Sequence, residues 1–124
     1  MNLRILVVDD FDTMVRIIRN ILHDIGYNHV FSARNGEQAC QVLNKEKIDL
    51  IISDWVMPRM NGLELLKKVK STPEWAHIPF MMVTAEAEKE HIVEAIQNKA
   101  DGYIIKPFTQ EALAKKIVLA LGRK

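Results

Sequence analysis

Cysteine, net charge and long apolar runs are all scarce in this sequence. One cysteine, Cys40, is present among 124 residues, so no disulfide can form within the chain, which favours a reducing compartment. The formal net charge is +1, so no long-range field draws the protein to nucleic acid or to an acidic membrane. No apolar run approaches the roughly 20 residues of a membrane span, and no signal-peptide pattern is visible. We therefore expect a cytoplasmic protein that binds neither nucleic acid nor membrane.

The composition is that of an ordinary globular domain, 48% hydrophobic and 27% charged. Its length fits one domain, which we place at residues 1–124, without repeats, low-complexity tracts or linkers. Short apolar runs alternate with amphipathic stretches, at 5–8, 29–33, 50–53, 80–83 and 103–105. Such runs are typical of strands buried on both faces of a parallel sheet.

The intervening stretches carry helix signals. Apolar residues at spacings of three and four predict that the first helix buries Met14, Ile17, Ile18, Ile21, Leu22 and Ile25. Asn35 with Gln38, and Asn61 with Glu64, have the spacing of N-terminal capping boxes. Thr109 is predicted to cap a last helix that buries Leu113, Ile117, Ala120 and Leu121.

Alternating strands and helices predict an α/β fold with right-handed crossovers. The expected form is a single-domain three-layer sandwich, in which five helices cover a five-stranded parallel sheet. In sheets of this kind, ligands bind beyond the carboxyl ends of the strands.

Chemically active side chains stand at the ends of four predicted strands. Asp9 and Asp10 follow the first strand, and Asp54 follows the third. Thr84 ends the fourth, and Lys106 follows the fifth. In a parallel sheet these residues would meet at one edge. Two carboxylates ~4 Å apart repel by about 4 kcal/mol at an effective dielectric constant near 20, so such a cluster requires compensating positive charge.

The cluster suits phosphoryl transfer. Lys106 supplies one positive charge, and Mg²⁺, which binds carboxylate and phosphate oxygens, would supply more. A carboxylate such as Asp54 can attack phosphorus and form an aspartyl phosphate, and Thr84 could donate a hydrogen bond to it. Taken alone, each residue could also have an ordinary structural role, as a helix cap, a turn residue or a solvated side chain. The combination at four strand ends favours a site.

Four segments carry a resemblance to a known family: Ile-Leu-Val-Val-Asp-Asp at 5–10, Asp-Trp-Val-Met-Pro at 54–58, Val-Thr-Ala at 83–85 and Lys-Pro-Phe at 106–108. Over the whole chain they resemble the receiver domain of bacterial two-component response regulators. Asp-Trp at 54–55, Thr-Ala-Glu-Ala at 84–87 and the segment 102–108 most resemble the CheY-like regulators of chemotaxis.

The resemblance, and not the sequence pattern, implies the flavodoxin-like strand order 2-1-3-4-5. It implies that Asp54 is the phosphoacceptor and that Lys106 contacts the phosphate and precedes a cis bond to Pro107. The Mg²⁺ ligands that it implies are Asp9, Asp10, Asp54 and the backbone carbonyl of Val56. Thr84 and Tyr103 would form a switch, in which Thr84 moves toward the phosphate and the Tyr103 ring fills the vacated space.

The receiver pattern reaches the last helix, so we expect no output domain and a signal that leaves through a surface. The resemblance places this surface on the fourth helix, fifth strand and fifth helix, at Ala87, Lys89, Ile92, Tyr103, Ile105 and Lys116. The implied partners are a histidine kinase of the CheA type and a flagellar motor switch protein such as FliM. We expect a monomer that catalyses only its own phosphoryl transfer and dephosphorylation.

Two positions depart from the family pattern. Position 56 is Val where well-known relatives carry Asn, which predicts an altered phosphate lifetime and leaves sensitivity to a CheZ-type phosphatase open. Position 88 is Glu where many relatives carry Lys, which reverses a charge on the docking surface.

Other functions remain open from the sequence. The protein could be a phosphorelay intermediate or a phosphate sink. A haloacid dehalogenase-type phosphatase also uses Asp and Mg²⁺, and Asp10-Phe11-Asp12 resembles its Asp-x-Asp motif, although the threonine at Thr13 is misplaced. A flavin-binding electron carrier would need a phosphate-binding loop after the first strand, where the acidic run at 9–12 would repel phosphate.

Overall fold

Strands and helices alternate along the chain as the sequence pattern predicts. A computed structural model describes residues 3–122. The strands are β1 (Arg4–Val8), β2 (His29–Ala33), β3 (Leu50–Ser53), β4 (Phe80–Thr84) and β5 (Gly102–Ile105). The helices are α1 (Asp12–Asp24), α2 (Gly36–Lys45), α3 (Gly62–Ser71), α4 (Lys89–Gln97) and α5 (Gln110–Gly122). The predicted domain, 1–124, extends beyond the described residues at both ends.

All neighbouring strands pair in parallel, in the order β2-β1-β3-β4-β5. This confirms the predicted fold class and the strand order that the resemblance implied. β1 and β3 lie in the middle, and their apolar residues are almost completely buried, since helices cover both faces. No helix within residues 3–122 has the length and apolar character to cross a membrane.

Side-chain alternation along the strands divides the core into two layers. Ile5 and Val7 of β1 face the layer that includes buried residues of α1 and α5. Leu6 and Val8 face the opposite layer, with buried residues of α2, α3 and α4. The molecule is therefore a three-layer sandwich, and every strand ends at the same edge of the sheet.

The buried face of helix α1 differs from the predicted one. Ile17, which the periodicity placed in the core, is 42% exposed, whereas Val15 is buried with Ile18 and Leu22. Apolar residues on several sides of α1 leave its rotation undetermined from sequence, and packing on the sheet selects Val15. In α5 the predicted Leu113, Ile117 and Ala120 are fully buried, while Leu121 is only half-buried.

One of the two predicted capping boxes is complete. Asn61 and Glu64 exchange side-chain and backbone hydrogen bonds of 2.9 and 3.0 Å at the start of α3. At the start of α2, the Asn35 side chain accepts from the Gln38 backbone N–H as predicted. The Gln38 side chain instead accepts from the N–H of Arg34, one residue earlier than a capping box requires. Thr109 caps α5, because its hydroxyl accepts from the Ala112 N–H at 3.0 Å.

Candidate functional site

The two central strands bring the acidic side chains together. β1 and β3 pair in register, with Val8 opposite Ser53, so Asp9 and Asp54 follow at the same level. The backbone continues the ladder there, because Asp54 N–H donates to the Val8 carbonyl at 2.9 Å. Carboxylate oxygens of Asp9, Asp10 and Asp54 lie within 4.8 Å of one another.

Lys106 completes the cluster from the other side. Its backbone N–H donates to the carbonyl of Thr84 at 2.9 Å, which fixes the end of β5 beside β4. Its ammonium lies 3.0 Å from Oδ2 of Asp9 and 3.4 Å from Oδ2 of Asp54. The peptide bond that follows, to Pro107, is cis, as the resemblance implied. One ammonium group thus pairs with two of the three clustered carboxylates.

Asp9 is the most buried member of the cluster, with 2% of its side chain exposed. Burial raises the pKa of this carboxyl, although hydrogen bonds from Lys106 and from the Phe11 backbone N–H partly oppose the rise. The negative charge of Asp9 is therefore only partly compensated. A cation among these oxygens would relieve the cost, and hard divalent ions prefer such ligands. The residues present could therefore hold a metal ion.

Asp54 is held with its two oxygens in different directions. Oδ1 accepts from the Trp55 backbone N–H at 2.6 Å, and Oδ2 faces Lys106. Gly62 begins α3 directly beneath this loop: a Cβ built there would lie 2.1 Å from the Asp54 carbonyl oxygen. The Gly62 N–H also donates to the Trp55 carbonyl at 2.8 Å. This glycine, which sequence reasoning did not single out, lets the helix start close under the candidate phosphoacceptor.

Comparison with known proteins identifies the family. The model of the response regulator receiver domain matches residues 5–118. The chain belongs to this family. It is 46% identical over 116 residues to the chemotaxis protein CheY-3 of Vibrio cholerae, an alignment that covers 94% of the chain and 89% of that protein. It is also 44% identical over 115 residues to the chemotaxis protein CheY of Pseudomonas aeruginosa, with 93% of each covered.

Solved structures show the same receiver fold. The chemotaxis response regulator CheY4 of Vibrio cholerae has a TM-score of 0.89 and 33% identity, covering 98% of this chain and 100% of that one. A putative response regulator from Chloroflexus aurantiacus has a TM-score of 0.93 and 30% identity, covering 99% and 100%. The protein is therefore a receiver domain of the CheY type, and a haloacid dehalogenase or flavin carrier is not supported.

The two predicted switch residues of this receiver are linked through a third residue. Thr84 is 1% exposed, and its hydroxyl accepts from the Glu86 N–H at 3.3 Å. The Tyr103 hydroxyl donates to the Glu86 backbone carbonyl at 2.5 Å, and its ring packs against the core layer under α2, α3 and α4. Burial, with smaller effects of the Glu86 and Asp54 charges, raises the pKa of Tyr103 to about 12, so its phenol remains a donor at neutral pH. No sequence pattern indicates this role of Glu86.

The predicted docking surface combines exposed and half-buried residues. Ala87, Lys89 and Lys116 are exposed, and Ile92 and Tyr103 are half-buried. Ile105 on the edge strand is 39% exposed, and Ile96 of α4 adds another apolar side chain that is 60% exposed. Val56, the predicted carbonyl ligand, lies in the loop after β3 and is 59% exposed. The docking and ligand roles of these residues stay predictions.

Proposed function

We propose that this receiver domain is a phosphorylation switch in which Asp54 accepts a phosphoryl group from a histidine kinase. One observation carries the proposal: three carboxylates and a lysine ammonium, from the ends of three strands, converge in one cleft. An oxygen of Asp54 would attack phosphorus while the bond to the donor's imidazole nitrogen breaks, and that nitrogen leaves with the bonding electrons. Asp54 is already oriented for this, because the Trp55 N–H holds one of its oxygens.

Lys106 would pair with the negative charge of the phosphoryl group as it now pairs with the carboxylates. Its ammonium contacts Asp9 and Asp54. It would therefore be close enough to pair with the oxygens of a phosphoryl group on Asp54. We propose Mg²⁺ as the cofactor, held by Asp9, Asp10, Asp54 and the Val56 carbonyl. When bound, it would neutralise charge on the phosphoryl oxygens. Thr84, at the end of β4, would supply a hydroxyl donor once it leaves Glu86.

Acetyl phosphate tests this proposal without a kinase. Incubation with acetyl phosphate and Mg²⁺, followed by intact-protein mass spectrometry, should show one added phosphoryl group per chain. Asp54→Asn should abolish the addition, whereas Asp24→Asn, at an exposed position on α1, should preserve it. Phosphorylation that persists in Asp54→Asn, or none in the parent, would contradict the assignment.

For the output we propose phosphorylation-dependent binding to a flagellar motor switch protein, in the cytoplasm. Similarity to two chemotaxis proteins supports this, together with the surface formed by α4, β5 and α5. A labelled peptide of a motor switch protein should bind more tightly when acetyl phosphate and Mg²⁺ are present. Lys89→Ala should weaken that binding, and Lys45→Ala, on α2, should not. Equal affinity with and without phosphorylation would contradict motor control and favour a phosphorelay intermediate or phosphate sink.

A further inference from the structure

His91 contacts the loop after β3 and the loop after β4. It is not a member of the acidic cluster. It lies on α4, and its ring meets the Trp55 indole with centroids 4.9 Å apart and planes inclined by 50°. Its Nδ1 lies 3.0 Å from Oε1 of Glu86 in the loop before α4. The two side chains of this pair are each 32% exposed.

Nδ1 of His91 lies close to the Glu86 carboxylate but makes no hydrogen bond with it. Nδ1 is buried, and among residues 3–122 no group makes a well-aligned hydrogen bond with it. A neutral imidazole gains little from such a contact, because its Nε2–H tautomer would turn an unprotonated nitrogen to the carboxylate and its Nδ1–H tautomer carries no net charge. Protonation gives the imidazole a positive charge 3.0 Å from the Glu86 carboxylate oxygen, which turns the same contact into an ion pair.

Each neighbour of His91 is attached to a moving part of the proposed switch. The Trp55 backbone N–H holds Oδ1 of Asp54. The Glu86 backbone accepts from the Tyr103 hydroxyl and donates to Thr84. A shift of either loop therefore changes the surroundings of the imidazole, and a change in its charge acts on both loops.

We propose that His91 is a positioning residue that joins the Asp54–Trp55 loop to the Thr84–Glu86 loop, and that its protonation tightens this connection. The connection holds Glu86 where its carbonyl receives the Tyr103 hydroxyl, with the ring turned toward the core. Acidification should therefore favour this inward tyrosine. The consequence for signalling rests on the proposed function, but the contact itself does not.

Other charges near this point are few and mostly acidic. Glu88, directly before α4, and Glu94 on α4 stand three residues before and after His91, and Lys89 and Glu90 begin the helix. On the side of the β3 loop, Asp54 precedes Trp55 in the chain, and the Lys106 ammonium lies 3.4 Å from the Asp54 carboxylate. Of these charged groups, Glu86 is the one that contacts the imidazole within ion-pair distance.

Tryptophan fluorescence tests the contact directly. The chain has two tryptophans, so a Trp75→Phe background leaves Trp55 as the only indole. On acidification, a protonated imidazole against the indole should quench its emission. His91→Asn should lose this transition, and His23→Asn, exposed on α1, should keep it. A transition that survives in His91→Asn, or is absent in the parent, would overturn the proposal.

A second titration tests the link to the switch. With Mg²⁺ present, beryllofluoride mimics the phosphoryl group, and its half-saturating concentration is measured from Trp55 emission at pH 6 and pH 8. The His23→Asn control should show the same pH dependence as the parent, whereas His91→Asn and Glu86→Gln should both show a smaller one. Equal pH dependence in all four proteins would overturn the coupling. No response to beryllofluoride in any variant would contradict the proposed function and leave the fluorescence test of the contact intact.

Discussion

Removing the charge of Asp54 should stabilise the protein when no divalent cation is present. Carboxylate oxygens of Asp9, Asp10 and Asp54 lie within 4.8 Å of one another, a separation at which each repulsion costs about 3.5 kcal/mol for an effective dielectric constant near 20. The Lys106 ammonium, 3.4 Å from Asp54, attracts it by about 5 kcal/mol on the same scale. The two repulsions on Asp54 therefore exceed the attraction by about 2 kcal/mol.

Solvent reduces this figure. Asp10 is exposed, so water and salt screen its share, and the net repulsion persists as long as more than about 1.5 kcal/mol of that share remains. We expect a gain of roughly 1 kcal/mol for Asp54→Asn. In a domain of this size, that gain raises the melting temperature by roughly 5 °C. The asparagine keeps an oxygen for the Trp55 N–H, which now donates to Oδ1 at 2.6 Å.

The assay is thermal unfolding in chelator and in excess Mg²⁺. Saturation at one hundred times the dissociation constant would stabilise the parent by about 2.7 kcal/mol, whereas Asp54→Asn, with one ligand charge fewer, should gain less. Glu74→Gln, an exposed carboxylate outside the cluster, should change stability by less than about 0.5 kcal/mol. A melting temperature of Asp54→Asn at or below that of the parent in chelator would refute the electrostatic reasoning. Equal stabilisation of both proteins by Mg²⁺ would refute the role of Asp54 as a ligand.

Three further changes test other parts of the site. Asp9→Asn should be more stable than the parent at pH 7 in urea unfolding, and the difference should shrink toward pH 4. Burial raises the pKa of Asp9 in the folded state. The destabilisation by its buried charge is therefore absent below the unfolded-state pKa of 3.8 and complete above the raised folded-state pKa. A stability difference that does not change with pH would contradict this reasoning. Gly62→Ala should cost about 2 kcal/mol or more in urea unfolding and reduce phosphorylation, since its Cβ would meet backbone, while Gly122→Ala, with no atom within 4 Å of its Cβ, should change neither. Val56→Asn should change the decay rate of phosphorylated protein several-fold, followed by mass spectrometry; an unchanged rate would show that this exposed side chain does not affect hydrolysis.

Sequence patterns predicted the strands best, because their signal is local and strong. The predicted limits of β1, β4 and β5 differ from the observed ones by one residue, and those of β2 and β3 agree. Apart from Arg4 at the start of β1 and Ser53 at the end of β3, these two strands are apolar throughout, because both of their faces are covered. Their parallel pairing then places the residues after each strand at one edge, which is why the acidic cluster could be predicted before any coordinates.

The order of the strands could not be predicted from the sequence pattern. Apolar runs do not reveal which neighbours pair, so the order 2-1-3-4-5 came from the family resemblance. The rotation of α1 also lay outside the pattern, because Val15 and Ile17 are both apolar and only contact with the sheet separates them.

The least predictable features lie in the loops. Glu86 joins Thr84 and Tyr103 through its backbone, which any residue type could do, so its identity carries no signal. His91 reaches Trp55 only because α4 packs beside the loop after β3. Such contacts depend on loop path and rotamer, and neither has a periodicity that a sequence can display.

Magnesium titration of the Trp75→Phe protein, followed by Trp55 emission, tests the central claim most directly. Trp55 follows Asp54 directly, so one bound ion per chain should change its emission along a single saturable curve. Asp9→Asn should shift that curve to at least about tenfold higher Mg²⁺, since it removes a charged ligand from the cluster. A parent that does not respond to Mg²⁺, or an Asp9→Asn curve that coincides with it, would contradict a metal site formed by these carboxylates.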